Sequence, residues 1–288
     1  MHLTPNWSQP ATWAEIPQQD AKRALAEDVG SGDLTAAMVP AHAMAQAQVV
    51  LRQDAVLCGA PWVEAAAQQV HPAIACKWAA AEGQACQAGT VVLGLEGPAA
   101  ALLTLERTAL NFLQMLSAVA THTAAFVHAV RGSGAAIVDT RKTLPGLRLA
   151  QKYAVWCGGG TNHRMGLHDA VLIKENHIAA AGGVAQALRA AAAQAAKAEF
   201  VQIEVETLEQ LDEALHAGAT MVLLDNMDLP TLRQAVARNQ GRAVLEISGG
   251  VTLEQVGALA AVGVDRISVG TLTKDIRAVD LSMRFTKA

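Results

Sequence analysis

From about residue 120 onward, the sequence alternates between short apolar segments and longer Ala-rich segments. The strand-like segments span 136–139, 170–174, 200–206, 221–225, 243–247 and 265–269, and the helical ones include 183–198, 207–217, 228–239 and 252–262. Because neighbouring parallel strands are joined by a crossover, usually a helix, this alternation predicts a parallel sheet. Each later strand follows its predecessor by about 22 residues, and this regular period favours a barrel over an open sheet. Six strands are visible, so the barrel is expected to be incomplete, with fewer than eight strands.

The preceding region, residues 44–100, has a different pattern, in which glycines separate short strand-like runs. One helix is predicted at 61–69, and a long apolar helix is predicted at 98–119. We therefore predict two domains. Residues 1–117 form a small, mostly antiparallel sheet with helices, and residues 118–275 carry the parallel strands. The tail, residues 276–288, follows the last strand and is predicted to return to the first domain.

Composition narrows the class of protein. The chain has 288 residues, 52% of them hydrophobic and 17% charged, which is typical of a globular fold. Its net charge of −4 argues against general nucleic-acid binding. The N-terminus lacks the pattern of a signal peptide and no long unbroken apolar run is present, so no membrane span is expected. The four cysteines form no CxxC pair, which argues against disulfide or zinc use and fits a reducing cytoplasm.

Polar residues follow all six predicted strands at the same end. They are Asp139 to Lys142, Lys174, Glu204 with Glu206, Asp225 with Asn226, Ser248 to Gly250, and Gly270 with Thr271. In α/β barrels the active site lies at the carboxyl ends of the strands. Solvated loop ends are the alternative explanation, but they do not require polar groups after every strand. We therefore predict one active site at this edge.

The last two strand ends predict a phosphate site. Ser248-Gly249-Gly250 precedes a helix, and Val269-Gly270-Thr271 follows the next strand. Glycines allow backbone N–H groups to approach a phosphate closely, and a helix N-terminus adds a favourable dipole. Barrel enzymes often bind phosphate after their final two strands.

Basic charge is concentrated between residues 139 and 177. This stretch carries six of the 22 Lys and Arg residues, whereas an even spread would place about three there. Arg141 and Arg164 suit planar carboxylates, because a guanidinium can donate two parallel hydrogen bonds. Lys142 and Lys174 suit phosphate or pyrophosphate oxygens, or a second carboxylate. The stretch therefore predicts an anion pocket.

Several assignments stay open on the residues alone. Glu204 and Asp225 could bind ribose hydroxyls or Mg²⁺, or could neutralise nearby cations as buried acids. His163 could donate to an anion or pack as a structural residue, and a structural role is preferred for His177. Arg107 reads as an exposed residue paired with a neighbour on its own helix.

Several motifs resemble those of the quinolinate phosphoribosyltransferase family, the carboxylating nicotinate-nucleotide pyrophosphorylases. They are TRKTLPGLR at 140–148, NHR at 162–164 and LIKENH at 172–177, with EDVGSGDLT at 27–35, ERTALNF at 106–112, IEVE at 203–206, LLDNM at 223–227 and SGG at 248–250. The likeness spans nearly the whole chain in the same order. Gln151 stands where many relatives have an acid, which puts one local salt bridge in doubt but not the chemistry.

The resemblance implies an α/β fold, with an N-terminal α/β sandwich beside an incomplete parallel barrel. It implies a homodimer in which the sandwich of one subunit covers the barrel of the other and contributes Arg107; assembly beyond the dimer stays open. The implied substrates are quinolinate and 5-phosphoribosyl-1-pyrophosphate, with Mg²⁺ as cofactor. The implied products are nicotinate mononucleotide, pyrophosphate and CO₂, on the route to NAD.

Site residues follow from the resemblance by position. The quinolinate carboxylates would be bound by Arg107, Arg141, His163, Arg164 and Lys174, with Thr140 and Lys142 beside them. Lys142 would lie near the reacting centre and the pyrophosphate, and Glu204 and Asp225 would contact ribose and Mg²⁺, directly or through water. The 5-phosphate would be held by Ser248, Gly249, Gly250, Val269, Gly270 and Thr271.

Three alternative functions are compatible with parts of the sequence. A related barrel enzyme could use nicotinate, which has one carboxylate, but three arginines favour a dicarboxylate. A Schiff-base aldolase could use Lys174 as its nucleophile. A non-catalytic anion-binding relative is disfavoured by the presence of Lys142, Glu204 and Asp225.

Overall fold

The structure is a computed structural model that describes residues 5–286. Its strands are β1 (Met44–Leu51), β2 (Ala55–Val56), β3 (Ala75–Trp78), β4 (Ala85–Cys86), β5 (Val91–Pro98), β6 (Ala136–Val138), β7 (Val171–Ile173), β8 (Val201–Val205), β9 (Met221–Asp225), β10 (Val244–Ser248), β11 (Arg266–Ser268) and β12 (Leu281–Thr286). Its helices are α1 (Glu15–Asp28), α2 (Ala60–Val70), α3 (Ala99–Ala129), α4 (Arg148–Cys157), α5 (Glu175–Ala181), α6 (Val184–Ala195), α7 (Leu208–His216), α8 (Leu229–Asn239), α9 (Leu253–Ala260) and α10 (Thr271–Lys274). Short 3-10 helices lie at Pro10–Thr12 and Ala36–Met38.

These elements form two compact units. The first unit contains the described residues up to 124, residues 144–159 and the described residues from 275 onward. The second unit contains residues 125–143 and 160–274. The two units differ from the predicted domains 1–117 and 118–275 in two places. Helix α3 continues to Ala129, since its Ala-rich sequence has no Gly or Pro there, and α4 belongs to the first unit.

An antiparallel sheet in the order β12-β1-β5-β3 forms the first unit's framework. Strand β1 alternates in burial: Ala47, Val49 and Leu51 are buried, whereas Gln46 and Gln48 are exposed. This period of two places one apolar face against the helices. The C-terminal strand β12 pairs with β1 along its whole length, from Leu281 opposite Leu51 to Thr286 opposite Gln46.

Helix α3 supplies much of the first unit's core. Leu102, Leu105 and Leu113 are fully buried and belong to the same apolar cluster as Val49 and Leu93. By length and composition alone, α3 is the one helix in the described part of the chain that could cross a membrane. More than half of its most apolar stretch is buried within the protein, as expected of a core helix.

All six strands of the second unit are parallel, in the order β6-β11-β10-β9-β8-β7. Strands β7 to β11 are neighbours in the order of the sequence, and the first strand, β6, pairs with the last, β11, as in a barrel. Within the described residues β6 and β7 do not pair, and a bridge from Val138 to Thr161 lies beside β6 instead. The prediction of an antiparallel sheet followed by an incomplete parallel barrel of six strands is confirmed.

We expect the first unit to depend on β12 for its stability. Met283 is buried opposite Val49, whereas its neighbour Arg284 is exposed opposite Gln48. Met283→Ala should lower the free energy of unfolding by about 2–3 kcal/mol, because it removes buried apolar surface and leaves a cavity. Arg284→Ala should change it by less than about 0.5 kcal/mol. Urea unfolding followed by circular dichroism measures both. Equal effects of the two substitutions would contradict a packing role for β12.

Candidate active site

A cavity of about 310 Å³ opens at the carboxyl ends of the parallel strands, and all its lining residues belong to the second unit. They are Asp139, Thr140, Arg141, Lys142, His163, Arg164, Leu172, Lys174, Glu204, Leu223, Ser248 and Ser268. Eight of the residues predicted from sequence therefore lie together: Thr140, Arg141, Lys142, His163, Arg164, Lys174, Glu204 and Ser248. The lining combines cations, acids and apolar side chains, as expected of a site for a charged ring compound.

Two guanidinium groups form the cationic wall of this cavity. Arg164 is buried, and both its burial and the neighbouring charge of Arg141 lower its pKa. The Nε of Arg141 is buried and has no hydrogen-bond partner among the described residues. A buried donor without a partner is costly, and two like charges side by side repel. An anion bound in the cavity would accept a hydrogen bond from Arg141 Nε and would offset the repulsion between the two guanidinium groups.

His163 is fixed by hydrogen bonds at both ring nitrogens. Its Nδ1 accepts from the backbone N–H of Arg164 at 2.8 Å, so the ring proton lies on Nε2. That Nε2 donates to Oε1 of Gln202 at 2.8 Å. The ring thus holds Arg164 in place, and of the two roles left open for His163, this geometry supports the structural one.

A buried polar network continues below the cavity, and sequence reasoning missed it. Gln202 donates from Nε2 to Glu246 at 3.2 Å, and Arg266 donates from Nε to the same carboxylate at 2.8 Å. Ser268 also donates to Glu246, whose side chain is fully buried. The signal was present in the sequence, because Gln202 precedes Glu204 by two residues and Glu246 precedes Ser248 by two. Alternate residues on a strand share a face.

The cavity is lined by one predicted acid, Glu204, whereas the second, Asp225, lies near Glu204 outside the lining. Glu204 accepts a hydrogen bond from Lys174 Nζ at 3.0 Å. Burial raises the pKa of Glu204, the nearby charge of Asp225 raises it further, and Lys174 works in the opposite direction. Two carboxylates close enough to influence each other fit a hard divalent cation. Glu206 is exposed, so the carboxylate on that strand that faces the cavity is Glu204.

Lys142 is held in place at its backbone, and its exposed side chain lines the cavity. Its N–H donates to Oγ1 of Thr140 at 3.1 Å, and its carbonyl accepts from Thr273 at 2.8 Å. Gly270 lies against the Lys142 side chain, since a Cβ at Gly270 would come within 3.3 Å of Lys142 Cδ. Glycine at this position leaves room for the lysine, and Thr271 begins α10 directly after it.

The loop after β10 is tightly folded. Gly249 has φ +108°, and a Cβ there would lie 2.1 Å from Oδ1 of Asn226 and 3.0 Å from its backbone N. Asn226 itself donates its N–H to the Ser248 carbonyl at 3.0 Å. Gly250 is exposed and open around its Cα. The loop therefore has no space for a side chain at 249, and it presents exposed backbone at 249 and 250.

Three predicted positions lie elsewhere or are already engaged. Val269 is fully buried and donates its N–H to the Val138 carbonyl at 2.9 Å, so the sheet uses this amide. Arg107 belongs to the first unit, where it is exposed on α3. His177 accepts the Lys174 N–H at 3.0 Å and caps α5. The structural role predicted for His177 is confirmed.

Comparison with known proteins identifies the family. The family model described as "Quinolinate phosphoribosyl transferase, C-terminal domain" matches residues 119–284, and the one described as "Quinolinate phosphoribosyl transferase, N-terminal domain" matches residues 33–117. Together they include every predicted site residue, with Arg107 in the N-terminal match.

Similar proteins agree along nearly the whole chain. A nicotinate-nucleotide pyrophosphorylase [carboxylating] from Mycobacterium leprae is 43% identical over 269 residues, which is 91% of this chain and 94% of the relative. A probable enzyme of the same name from Bacillus subtilis is 39% identical over 260 residues, 90% of each chain. The solved structure of the nicotinate-nucleotide pyrophosphorylase from Francisella tularensis is 39% identical, with a TM-score of 0.92 over 99% of this chain and 98% of that one. The chain therefore belongs to the quinolinate phosphoribosyltransferase family, the carboxylating nicotinate-nucleotide pyrophosphorylases.

Proposed function

We propose that this protein transfers the phosphoribosyl group of 5-phosphoribosyl-1-pyrophosphate to quinolinate with loss of CO₂. The products are nicotinate mononucleotide, pyrophosphate and CO₂, in NAD biosynthesis. The observation that carries the proposal is the cavity wall, where Arg141 and Arg164 lie together and the buried Arg141 Nε has no hydrogen-bond partner within residues 5–286. The family and the relatives' names support the same reaction. The cysteines are free thiols, which suits a cytoplasmic location.

Quinolinate has two adjacent carboxylates, and its proposed site has cations to match. Arg141 and Arg164 each offer a planar guanidinium with parallel hydrogen-bond donors. Lys174 adds a positive charge that is partly neutralised by its contact with Glu204. Each charge-assisted hydrogen bond contributes about 1.5–3 kcal/mol. Thr140 and His163 complete the wall, His163 by fixing Arg164 through its backbone.

The phosphoribosyl donor is proposed to lie across the other half of the cavity. Exposed backbone at Gly249 and Gly250, with Ser248, would hold the 5-phosphate, and Gly270 and Thr271 would extend that site. Val269 would shape the site through packing, because its N–H is bonded within the sheet. Lys142, beside Gly270, would attract the pyrophosphate.

Glu204 and Asp225 fit a bound Mg²⁺ through the proximity of their carboxylates. When bound, Mg²⁺ neutralises charge on the pyrophosphate leaving group. The residues themselves would position ribose hydroxyls and stabilise the positive charge that develops on the ribose ring as its C1 loses pyrophosphate.

The chemistry then depends on positioning. The quinolinate ring nitrogen forms a bond to ribose C1 while the bond from C1 to the pyrophosphate oxygen breaks, and Lys142 would stabilise the departing anion. The ring nitrogen becomes cationic. The electron pair of the adjacent C–CO₂ bond can then remain on the ring carbon as CO₂ leaves, and a proton replaces it.

The active form is proposed to be a homodimer in which Arg107 enters the site of the other subunit. Thr104 lies about one helical turn before Arg107, and its Oγ1 donates a hydrogen bond to the Asp33 carboxylate at 2.9 Å. The loop fixed there exposes Leu34 at 89% and Met38 at 77% of their surfaces. Large exposed apolar side chains next to an exposed arginine suit a surface that a second copy covers.

The alternatives fit less well. A nicotinate-type enzyme would bind one carboxylate and leave one of the two clustered guanidinium groups unmatched. Lys174 Nζ lies 3.0 Å from the Glu204 carboxylate, so this nitrogen is already engaged by an acid rather than free to attack a carbonyl as an aldolase nucleophile. A non-catalytic anion-binding protein would not require the paired acids Glu204 and Asp225.

The reaction can be assayed directly. With quinolinate, 5-phosphoribosyl-1-pyrophosphate and Mg²⁺, we expect CO₂ and nicotinate mononucleotide in equal amounts. Nicotinate in place of quinolinate should give little product, and borohydride with a carbonyl substrate should trap no adduct. Mass spectrometry of products and isotopic CO₂ release provide the measurements. Folded protein that forms no nucleotide would refute the proposed function.

In the proposed phosphate loop, residues 248–250, we expect the same substitution to have different effects at two adjacent glycines. Gly249→Ala places a methyl group against Asn226 and should raise KM for the phosphoribosyl donor at least about tenfold, equivalent to about 1.4 kcal/mol. Gly250→Ala has open space, and its left-handed φ of +56° should cost only about 1 kcal/mol of stability. Steady-state kinetics with each substrate varied compares the two. A larger KM effect from Gly250→Ala would contradict the proposed loop geometry.

Subunit complementation tests the shared site. Arg107→Ala and Lys142→Ala should each be inactive alone, yet mixed subunits should regain about a quarter of wild-type activity, because half of random dimers are mixed and each has one intact site. A mixture of Lys142→Ala with Glu204→Gln is the matched control, since both residues belong to the second unit and no intact site can form. Recovery in the control, or its absence in the test mixture, would rule out a contribution of Arg107 in trans.

A further inference from the structure

Two cysteines distant in sequence lie together with an acid in the first unit. Cys58 precedes α2, Cys157 ends α4, and Glu82 lies in the loop before β4. The two sulfur atoms and one carboxylate oxygen all lie within 4.8 Å of one another. The cysteine spacing does not predict this cluster, because the sequence contains no CxxC motif. None of its three residues is among those proposed for phosphoribosyl transfer.

Backbone contacts hold the cluster in place. Cys58 is fully buried, its N–H donates to Ser117 Oγ at 3.0 Å, and that hydroxyl donates back to the Cys58 carbonyl at 3.1 Å. The Glu82 carboxylate accepts from the N–H groups of Gly59 at 2.6 Å and Ala60 at 3.0 Å. These contacts fix two of the three groups before any ligand binds, which lowers the entropic cost of binding.

The donor atoms suit a thiophilic divalent cation. Zn²⁺ binds thiolate sulfur at about 2.3 Å and carboxylate oxygen at about 2.0–2.2 Å in tetrahedral sites, so a small side-chain adjustment would bring these three atoms into range. The Tyr153 side chain hydrogen-bonds to both Glu82 and Cys157, so it helps to hold these two groups close to each other. Two sulfurs with one carboxylate favour Zn²⁺ over Mg²⁺ or Ca²⁺.

Charge is also compatible with a metal. Two thiolates and a carboxylate around a divalent ion leave one net negative charge, and the N-terminus of α2 at Gly59 and Ala60 stabilises negative charge. In the absence of a cation, burial raises the pKa of Cys58 and of Glu82, which favours their protonated forms. A bound metal would displace those protons.

We propose that Cys58, Glu82 and Cys157 form a structural binding site for a thiophilic divalent metal ion such as Zn²⁺. The site joins the start of α2, the loop at Glu82 and the end of α4 within the first unit. It is independent of the proposed reaction, so its failure and that of the phosphoribosyl transfer are separately measurable.

Cobalt is a suitable probe, because Co²⁺ replaces Zn²⁺ and reports thiolate ligands by absorption. The full-length protein, reduced and stripped of metal, is titrated with Co²⁺ alone. We expect one equivalent to bind, with a sulfur-to-cobalt charge-transfer band and tetrahedral d–d bands that Zn²⁺ abolishes. Zn²⁺ should also raise the Tm of the wild-type protein.

Matched variants separate this site from adventitious thiol binding. Cys157→Ser should lose the charge-transfer band and the Zn²⁺-dependent shift in Tm while retaining phosphoribosyl transfer. Cys76→Ser changes a cysteine of the same unit outside the cluster, so it should keep the charge-transfer band and the Zn²⁺-dependent shift in Tm. Should Cys157→Ser misfold by circular dichroism, Glu82→Gln replaces it as the test variant. A reduced wild-type protein without thiolate bands would show a hydrogen-bonded thiol cluster that binds no metal. Bands unchanged in Cys157→Ser would show that cobalt binds other thiols, and either result would overturn the proposal.

Discussion

The buried carboxylate of Glu246 is the interaction on which the candidate site depends. It has no exposure to solvent, and Arg266, Gln202 and Ser268 all donate to it. A buried charge of this kind is stable only with its partners in place, and removal of one partner typically costs about 3–5 kcal/mol. Three parallel strands contribute to this network, so it can form only when they are in register.

Through Gln202, the same network sets the wall of the cavity. The Gln202 side chain donates to Glu246, which leaves its oxygen facing His163 and selects the Nε2-protonated ring. The opposite ring nitrogen then accepts from the backbone of Arg164. A carboxylate buried in the sheet thus helps to fix the backbone of Arg164 at the surface of the cavity, and this polar core supports the site before a ligand binds.

Sequence patterns predicted the elements and the grouping of many candidate site residues around one cavity, because both depend on local order. Strand ends converge at one edge of a parallel sheet, so the sequence alone predicts that Lys174, Glu204 and Ser248 lie together, as they do around the cavity. The buried network was missed, because strand alternation places Gln202 and Glu246 on the same face as Glu204 and Ser248 but does not show which remote side chains they contact. Contacts between remote segments were missed for the same reason, and Cys58 beside Cys157 is the clearest case.

The unit boundaries show a related difficulty. Helix α3 extends from Ala99 to Ala129, and the division between compact units falls within it, after residue 124. A boundary inside a continuous helix has no Gly, Pro or polar linker to mark it. Helix α4 joins the first unit because Tyr153 packs among aromatic side chains there, with ring centroids 5.4 Å from Trp7 and 5.1 Å from Trp62. Five tryptophans in a chain with 3% aromatic residues give no indication of pairing until the fold brings them together.

The arrangement of charges in the cavity favours a dianion over a monoanion. Lys174 is largely matched by Glu204, whereas Arg141 and Arg164 repel each other, and burial weakens the solvation of both. One carboxylate can pair with one guanidinium and leaves the other desolvated, at a cost of about 1–3 kcal/mol. Two adjacent carboxylates match both forks, so this cost alone corresponds to a preference of roughly tenfold to a hundredfold for the dicarboxylate. Specificity for quinolinate over nicotinate would thus arise from the energy of an unmatched buried cation, which the wrong substrate cannot relieve.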